Sequence, residues 1–151
     1  MGRSEDLIQI GGEKMSEDRE VEKLINKMLK EILFQKKKET AKRMEKILVE
    51  LNENEFERVL KSNHIVVIDF WAEWCMPCKF YEPIFEKVAE KLSEKVVFAR
   101  VNVDENPRLA SMYQIMAIPT TIIFVNGKPV EKMLGLIGEG QLERTIKKYL
   151  I

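Results

Sequence analysis

The stretch that most restricts the fold is Val66-Val67-Ile68-Asp69-Phe70-Trp71, followed at once by Ala72-Glu73-Trp74-Cys75-Met76-Pro77-Cys78-Lys79. The first part is apolar except for Asp69, which is the pattern of a buried strand. Residues 77–92 then take helical spacing, and Pro83 inside that span removes a backbone donor and kinks the helix. A buried strand that runs through a Cys-x-x-Cys pair into a helix N-terminus is a narrow specification. It requires a sheet covered by helices, with two sulfurs where a strand hands over to a helix.

The flanking sequence supplies such a sheet. Ile47–Leu51 reads as a strand, Glu53–Lys61 as a short helix and Val96–Asn102 as the next strand. Asn106-Pro107 opens a helix that ends near Tyr113, with Pro at its first turn. Thr120–Val125 and Val130–Leu136 flank Asn126-Gly127, a hairpin signal because both central residues must take positive φ. Gln141–Leu150 closes the chain as an amphipathic helix. Strands alternating with helices and ending in a hairpin predict an α/β domain, a mixed central sheet flanked by helices, over residues 45–151.

The cysteine pair suits redox chemistry. A helix N-terminus presents unpaired amides and a positive dipole end, so a thiolate at Cys75 is stabilised there. Cys75 is expected to be the exposed attacking thiolate and Cys78, one turn in, the resolving thiol. Pro77 costs nothing at this position, because its missing amide has no intrahelical partner. A zinc site needs about four ligands; the whole chain holds two cysteines and one histidine, His64, placed before the strand. No metal and no cofactor is expected, and Lys79 stands where an attached c-type haem requires histidine.

With these landmarks in order, Val66–Lys79, VVIDFWAEWCMPCK, resembles the active-site segment of the thioredoxin family. The resemblance runs over about residues 47–151. Pro83 matches the family's helix kink, Asn102–Pro107 its loop after the third strand, Ile118-Pro119-Thr120 its cis-proline segment, and Asn126-Gly127 and Gly135 its hairpin and groove glycine. The resemblance implies a thioredoxin fold and a protein-disulfide reductase that cycles between dithiol and disulfide. It implies that Asp69, desolvated beneath the motif, takes a proton as Cys78 becomes a thiolate. A cis Pro119 would offer a backbone edge for an extended substrate, with Trp74, Met76, Pro77, Ala117, Ile118 and Gly135 as the substrate groove; Trp71 is expected in the core. Client proteins with disulfides and an electron-donating reductase of the thioredoxin reductase type are the implied partners. Three departures stand out: Met76 where the family usually has Gly, Met116 where a basic residue precedes Ala117, and Arg100 where it usually has Lys. Arginine does not lose its proton, so Arg100 is expected to modulate Asp69 by holding it ionised. Disulfide isomerase or oxidase action, and a thioredoxin-fold binding module, are the competing functions.

The remainder of the chain lies upstream. Residues 1–15 contain Gly11-Gly12 and read as a loose segment, with Met15 as an alternative start. Residues 16–44 read as an amphipathic helix: Val21, Leu24, Ile25, Met28, Leu29, Ile32 and Leu33 form one apolar stripe. Such a stripe packs on its own domain, pairs with a second copy in a homodimer or holds a partner. The run Lys36–Lys38 reads as a solvated helix end. The 25 basic and 25 acidic residues cancel, so no whole-chain field favours nucleic acid or an anionic membrane. No stretch is apolar enough to cross a bilayer or to serve as a secretory signal, and a cytoplasmic location is expected.

Overall fold

The computed structural model describes residues 2–150, with side chains described at 18–42 and 47–150. The chain divides into two units, Met1–Lys42 and Arg43–Ile151. The first is helical. Helix α1 is Gly2–Ile47, which corrects the expectation of a loose segment over 1–15: Gly11-Gly12 lowers helix propensity but does not interrupt the helix, which also runs past residue 44. Within it, the seven side chains of the stripe are all exposed, at 48–62% of their surface. Among the described residues no helix is long and apolar enough to cross a membrane.

The second unit has the expected alternation: β1 (Leu48–Glu50), α2 (Glu53–Ser62), β2 (Ile65–Trp71), α3 (Met76–Leu92), β3 (Val97–Asn102), α4 (Pro107–Met112), β4 (Thr120–Val125), β5 (Lys128–Leu134) and α5 (Glu139–Lys147). The strands form one mixed sheet in the order β1-β3-β2-β4-β5. β3 runs parallel to β1 and β2, whereas β4 is antiparallel to both β2 and β5. β2 is the central strand, which explains its unbroken apolar character: it is covered on both faces.

Alternate residues of the strands feed two cores. On one face Ile65, Val67, Phe98 and Ile123 meet Tyr81, Phe85 and Val88 of α3 and Leu142 and Ile146 of α5. On the other, Val66, Ile68, Phe70, Val101 and Phe124 meet Phe56 and Leu60 of α2 and Leu109 of α4. Each large side chain so buried contributes about 1.5–3 kcal/mol. Asn52 caps α2, its side-chain oxygen accepting from the amides of Asn54 and Glu55 at 3.0 and 3.1 Å.

The hairpin differs from expectation in register. Asn126 and Gly127 take φ of 52° and 80°, the pair of positive values that a two-residue turn demands. Because the turn is that tight, β5 starts at Lys128 instead of Val130. An irregularity between Ile123 and Phe124 then shifts the pairing of the two strands.

Candidate active site

The two cysteines sit where β2 ends and α3 begins. Cys75 is the N-cap of α3, in an extended conformation, and its Sγ accepts the Cys78 amide at 3.2 Å. The two residues are joined as a disulfide with their Cα atoms 5.3 Å apart. Cys75 is only 3% exposed and Cys78 1%, which corrects the expectation of an exposed Cys75. The reason lies in its surroundings: the bonded sulfurs are enclosed by Ala72, Trp71, Val103 and Ile118.

The Cys75 Sγ lies 3.7 Å from the carbonyl oxygen of Ile118. The Ile118–Pro119 peptide is cis. The Pro119 carbonyl accepts the amide of Gly135 at 2.8 Å, and Gly135 takes a φ of 78°, which glycine adopts without the strain a side chain would add. Trp74 is 70% exposed, with its indole N–H donating to Asp104 Oδ2 at 2.9 Å. Met76, Pro77 and Ala117 are exposed, Ile118 and Gly135 half-buried and Pro119 buried. A shallow cleft brings together Trp74, Ala117 and Ile118 of the expected groove; Met76 and Gly135 do not line it. Val103, Ile115 and Met116 line it as well; the sequence reading placed none of the three there, noting Met116 only as a departure from a basic residue.

One rung of the sheet carries three charges. Glu50 of β1 pairs with Arg100 of β3, and Arg100 with Asp69 of β2. Paired residues point to the same face, so the side chains meet. Arg100 Nε donates to Asp69 Oδ2 at 3.3 Å; its Nη1 lies 3.6 Å from a Glu50 oxygen and 3.5 Å from a Glu82 oxygen. The guanidinium also stacks on the Trp71 ring at 4.2 Å.

Asp69 is wholly buried, and its Oδ1 has no hydrogen-bond partner. Burial raises its pKa from 3.8 to about 7, although the Arg100 charge and hydrogen bond pull it down. Arg100 therefore contacts Asp69 as expected but does not overcome desolvation, for it is shared with two other carboxylates. Burial likewise raises Glu50, against the attraction of Arg100. Glu50 and Glu82 were not singled out from the sequence. Glu82 lies one helical turn after Cys78, a spacing that could have marked it; nothing in the sequence aligned Glu50 with Arg100.

The comparisons with known proteins agree with this geometry. The family model described as Thioredoxin matches residues 47–148. The chain is 40% identical over 100 residues to a thioredoxin of Alicyclobacillus acidocaldarius subsp. acidocaldarius, covering 66% of this chain and 95% of that protein. It is 41% identical over 91 residues to a bifunctional thioredoxin reductase/thioredoxin of Mycobacterium leprae, covering 60% of this chain and 20% of that one. Among solved structures, a single-substitution mutant of a thioredoxin from Halobacterium salinarum superposes with a TM-score of 0.64 at 36% identity, over 68% of this chain and 89% of that chain.

Proposed function

The chain belongs to the thioredoxin family and is a thiol–disulfide oxidoreductase, a protein-disulfide reductase; on that premise we propose that Cys75 attacks client disulfides, Cys78 resolves them and Asp69 takes the resolving proton. The observation that carries this assignment is the position of Cys75 at the N-cap of α3, its Sγ held by the Cys78 amide. Amide and helix dipole stabilise negative charge on that sulfur and not on Cys78.

The steps balance. The Cys75 thiolate attacks one sulfur of the client disulfide, forming a mixed disulfide and expelling the other client sulfur as a thiolate, which takes a proton. Cys78 then gives its proton to Asp69, and its thiolate attacks Cys75 Sγ. The Cys75–Cys78 disulfide forms, the second client sulfur leaves as a thiolate that takes up a proton from solvent, and Asp69 releases its own proton to solvent. The pair has delivered two electrons, and a reductase of the thioredoxin reductase type returns them. That partner is supported by the relative in which the two activities share one chain.

Asp69 suits its role because a buried carboxyl with a pKa of about 7 exchanges protons near neutrality. The cis Ile118–Pro119 peptide and the cleft lined by Trp74, Ala117 and Ile118 suit an extended client segment beside the attacking sulfur, with backbone contacts and an apolar rim. Met76 and Pro77 border the sulfur from the helix side, and Gly135 supports the Pro119 carbonyl. Residues 45–151 form the catalytic domain, and 16–44 a helical extension that α1 continues upstream to Gly2. A cytoplasmic location fits a reductase, since a reducing compartment keeps the pair recharged.

Dithiothreitol-driven insulin reduction tests this reading, with Cys75→Ser as control. The wild type is expected to precipitate insulin rapidly and the variant not at all. Redox titration against glutathione then separates reductase from oxidase or isomerase. A midpoint more oxidising than about −200 mV, the region of protein disulfide isomerase and beyond, would reject the reductase assignment.

A further inference from the structure

Helix α1 carries a continuous exposed apolar face: Val21, Leu24, Ile25, Met28, Leu29 and Ile32, each 48–60% exposed. Together they form a stripe wide enough to mark an interface. Its centre is a seam of Val21, Ile25, Met28 and Ile32, spaced four, three and four residues apart, the alternation by which two helices interlock. At 1.5 Å per residue the seam is about 17 Å long.

The spacing of the seam admits a second copy of itself. Read backwards it has the same spacing, so a twofold axis between Asn26 and Lys27 lays Val21 on Ile32 of a second copy and Ile25 on Met28, each contact occurring twice. That is the self-complementary geometry of a twofold homodimer. Leu24 and Leu29 broaden the seam on either side.

Charge then selects the direction. Residues 17–23 carry four acids, Glu17, Asp18, Glu20 and Glu22, against Arg19 and Lys23, a net of −2; residues 33–39 carry Lys36, Lys37 and Lys38 against Glu39, a net of +2. Parallel pairing sets lysines beside lysines and acids beside acids. Antiparallel pairing brings each acidic end towards the other copy's lysine run and also opposes the two helix dipoles.

We infer that α1 pairs with α1 of a second copy of this chain as an antiparallel twofold dimer centred between residues 26 and 27. Sedimentation of the full-length protein is expected to give a dimer that dissociates on dilution. Ile25→Glu with Met28→Glu should give a monomer at every concentration that still reduces insulin at the wild-type rate. Orientation is read by cross-linking in full-length Cys75→Ser/Cys78→Ser protein, which has no other cysteine. A mixture of Val21→Cys and Ile32→Cys proteins should form a disulfide-linked heterodimer on mild oxidation, whereas either protein alone should link poorly. Efficient self-linking of Val21→Cys would show parallel pairing and overturn the register. A wild type that is monomeric at all concentrations, with no link in the mixture, would overturn the dimer, leaving the stripe to the chain's own second unit or to a different protein.

Discussion

Replacing Asp69 by Asn tests how the buried carboxyl is held. The pKa of Asp69 stands at about 7 in the folded protein against 3.8 for a free carboxyl. A raised carboxylate pKa means that folding favours the neutral form. Below the lower value both states are protonated and no pH-linked cost exists. Between the two, unfolded chains are ionised and folded ones are not, so stability falls by about 1.4 kcal/mol per pH unit. Above the folded pKa the whole cost is present, and a gap of some three units amounts to about 4 kcal/mol. Asn keeps the shape and a hydrogen-bond acceptor for Arg100 but carries no charge. The variant is therefore expected to gain stability relative to wild type as pH rises, from a baseline near pH 4 to a plateau near pH 8, by about 4 kcal/mol. Glu50 and the surface carboxylates titrate in both proteins, so they largely cancel in the difference. Urea denaturation of the oxidised proteins across that range measures it. Parallel curves, agreeing within about 0.5 kcal/mol at every pH, would refute a strongly desolvated Asp69.

The same substitution should slow insulin reduction about tenfold or more near pH 8, within the usual scale for a lost proton acceptor. Equal rates at every pH from about 6 to 9 would leave Asp69 a structural group. In reduced protein, iodoacetamide should modify Cys75 far faster than Cys78, as mass spectrometry of the digested protein would read; equal rates would defeat the division of labour. Met76→Gly removes apolar area beside the sulfur without changing charge, so it should alter rates with protein disulfides while leaving reaction with small disulfides within about twofold. Deleting residues 1–44 should preserve activity on a small disulfide and lower the solution mass by more than the segment itself; loss of activity in a folded truncation would place α1 in the active site.

Much of the fold was legible because local and global signals agreed. Val66–Trp71 had to be central because it is apolar on both faces, and Asn126-Gly127 had to be a turn because few pairs tolerate two positive φ values. Asp69 was noticeable as one polar residue in an apolar strand. Its partners were harder to read. That Glu50, Arg100 and Asp69 share a rung depends on the register of parallel strands joined by long crossovers, and no turn fixes that register. The sequence suggested that Arg100 would keep Asp69 ionised; how far one guanidinium is divided among three acids is a matter of distances. The start of β5 was missed although the two-residue turn implies it, because Lys128 and Pro129, both exposed, add nothing to the apolar alternation that begins at Val130.

The two outer strands bear on how this domain meets other copies of itself. β1 has only three residues, too few to template a further strand. β5 is longer, but Pro129 deletes a donor near its start, the irregularity beside Phe124 bends its pairing, and Lys132 folds over to cap the carbonyls of Tyr113 and Gln114 at 3.1 and 2.9 Å. Such short, interrupted and charged rims are how natural sheets avoid edge-to-edge growth. A protein that reduces disulfides in other chains gains from rims that cannot zip onto a neighbour. Strand exchange between copies is thereby discouraged, and contacts with other chains are left to helical surfaces and to the loop beside the disulfide.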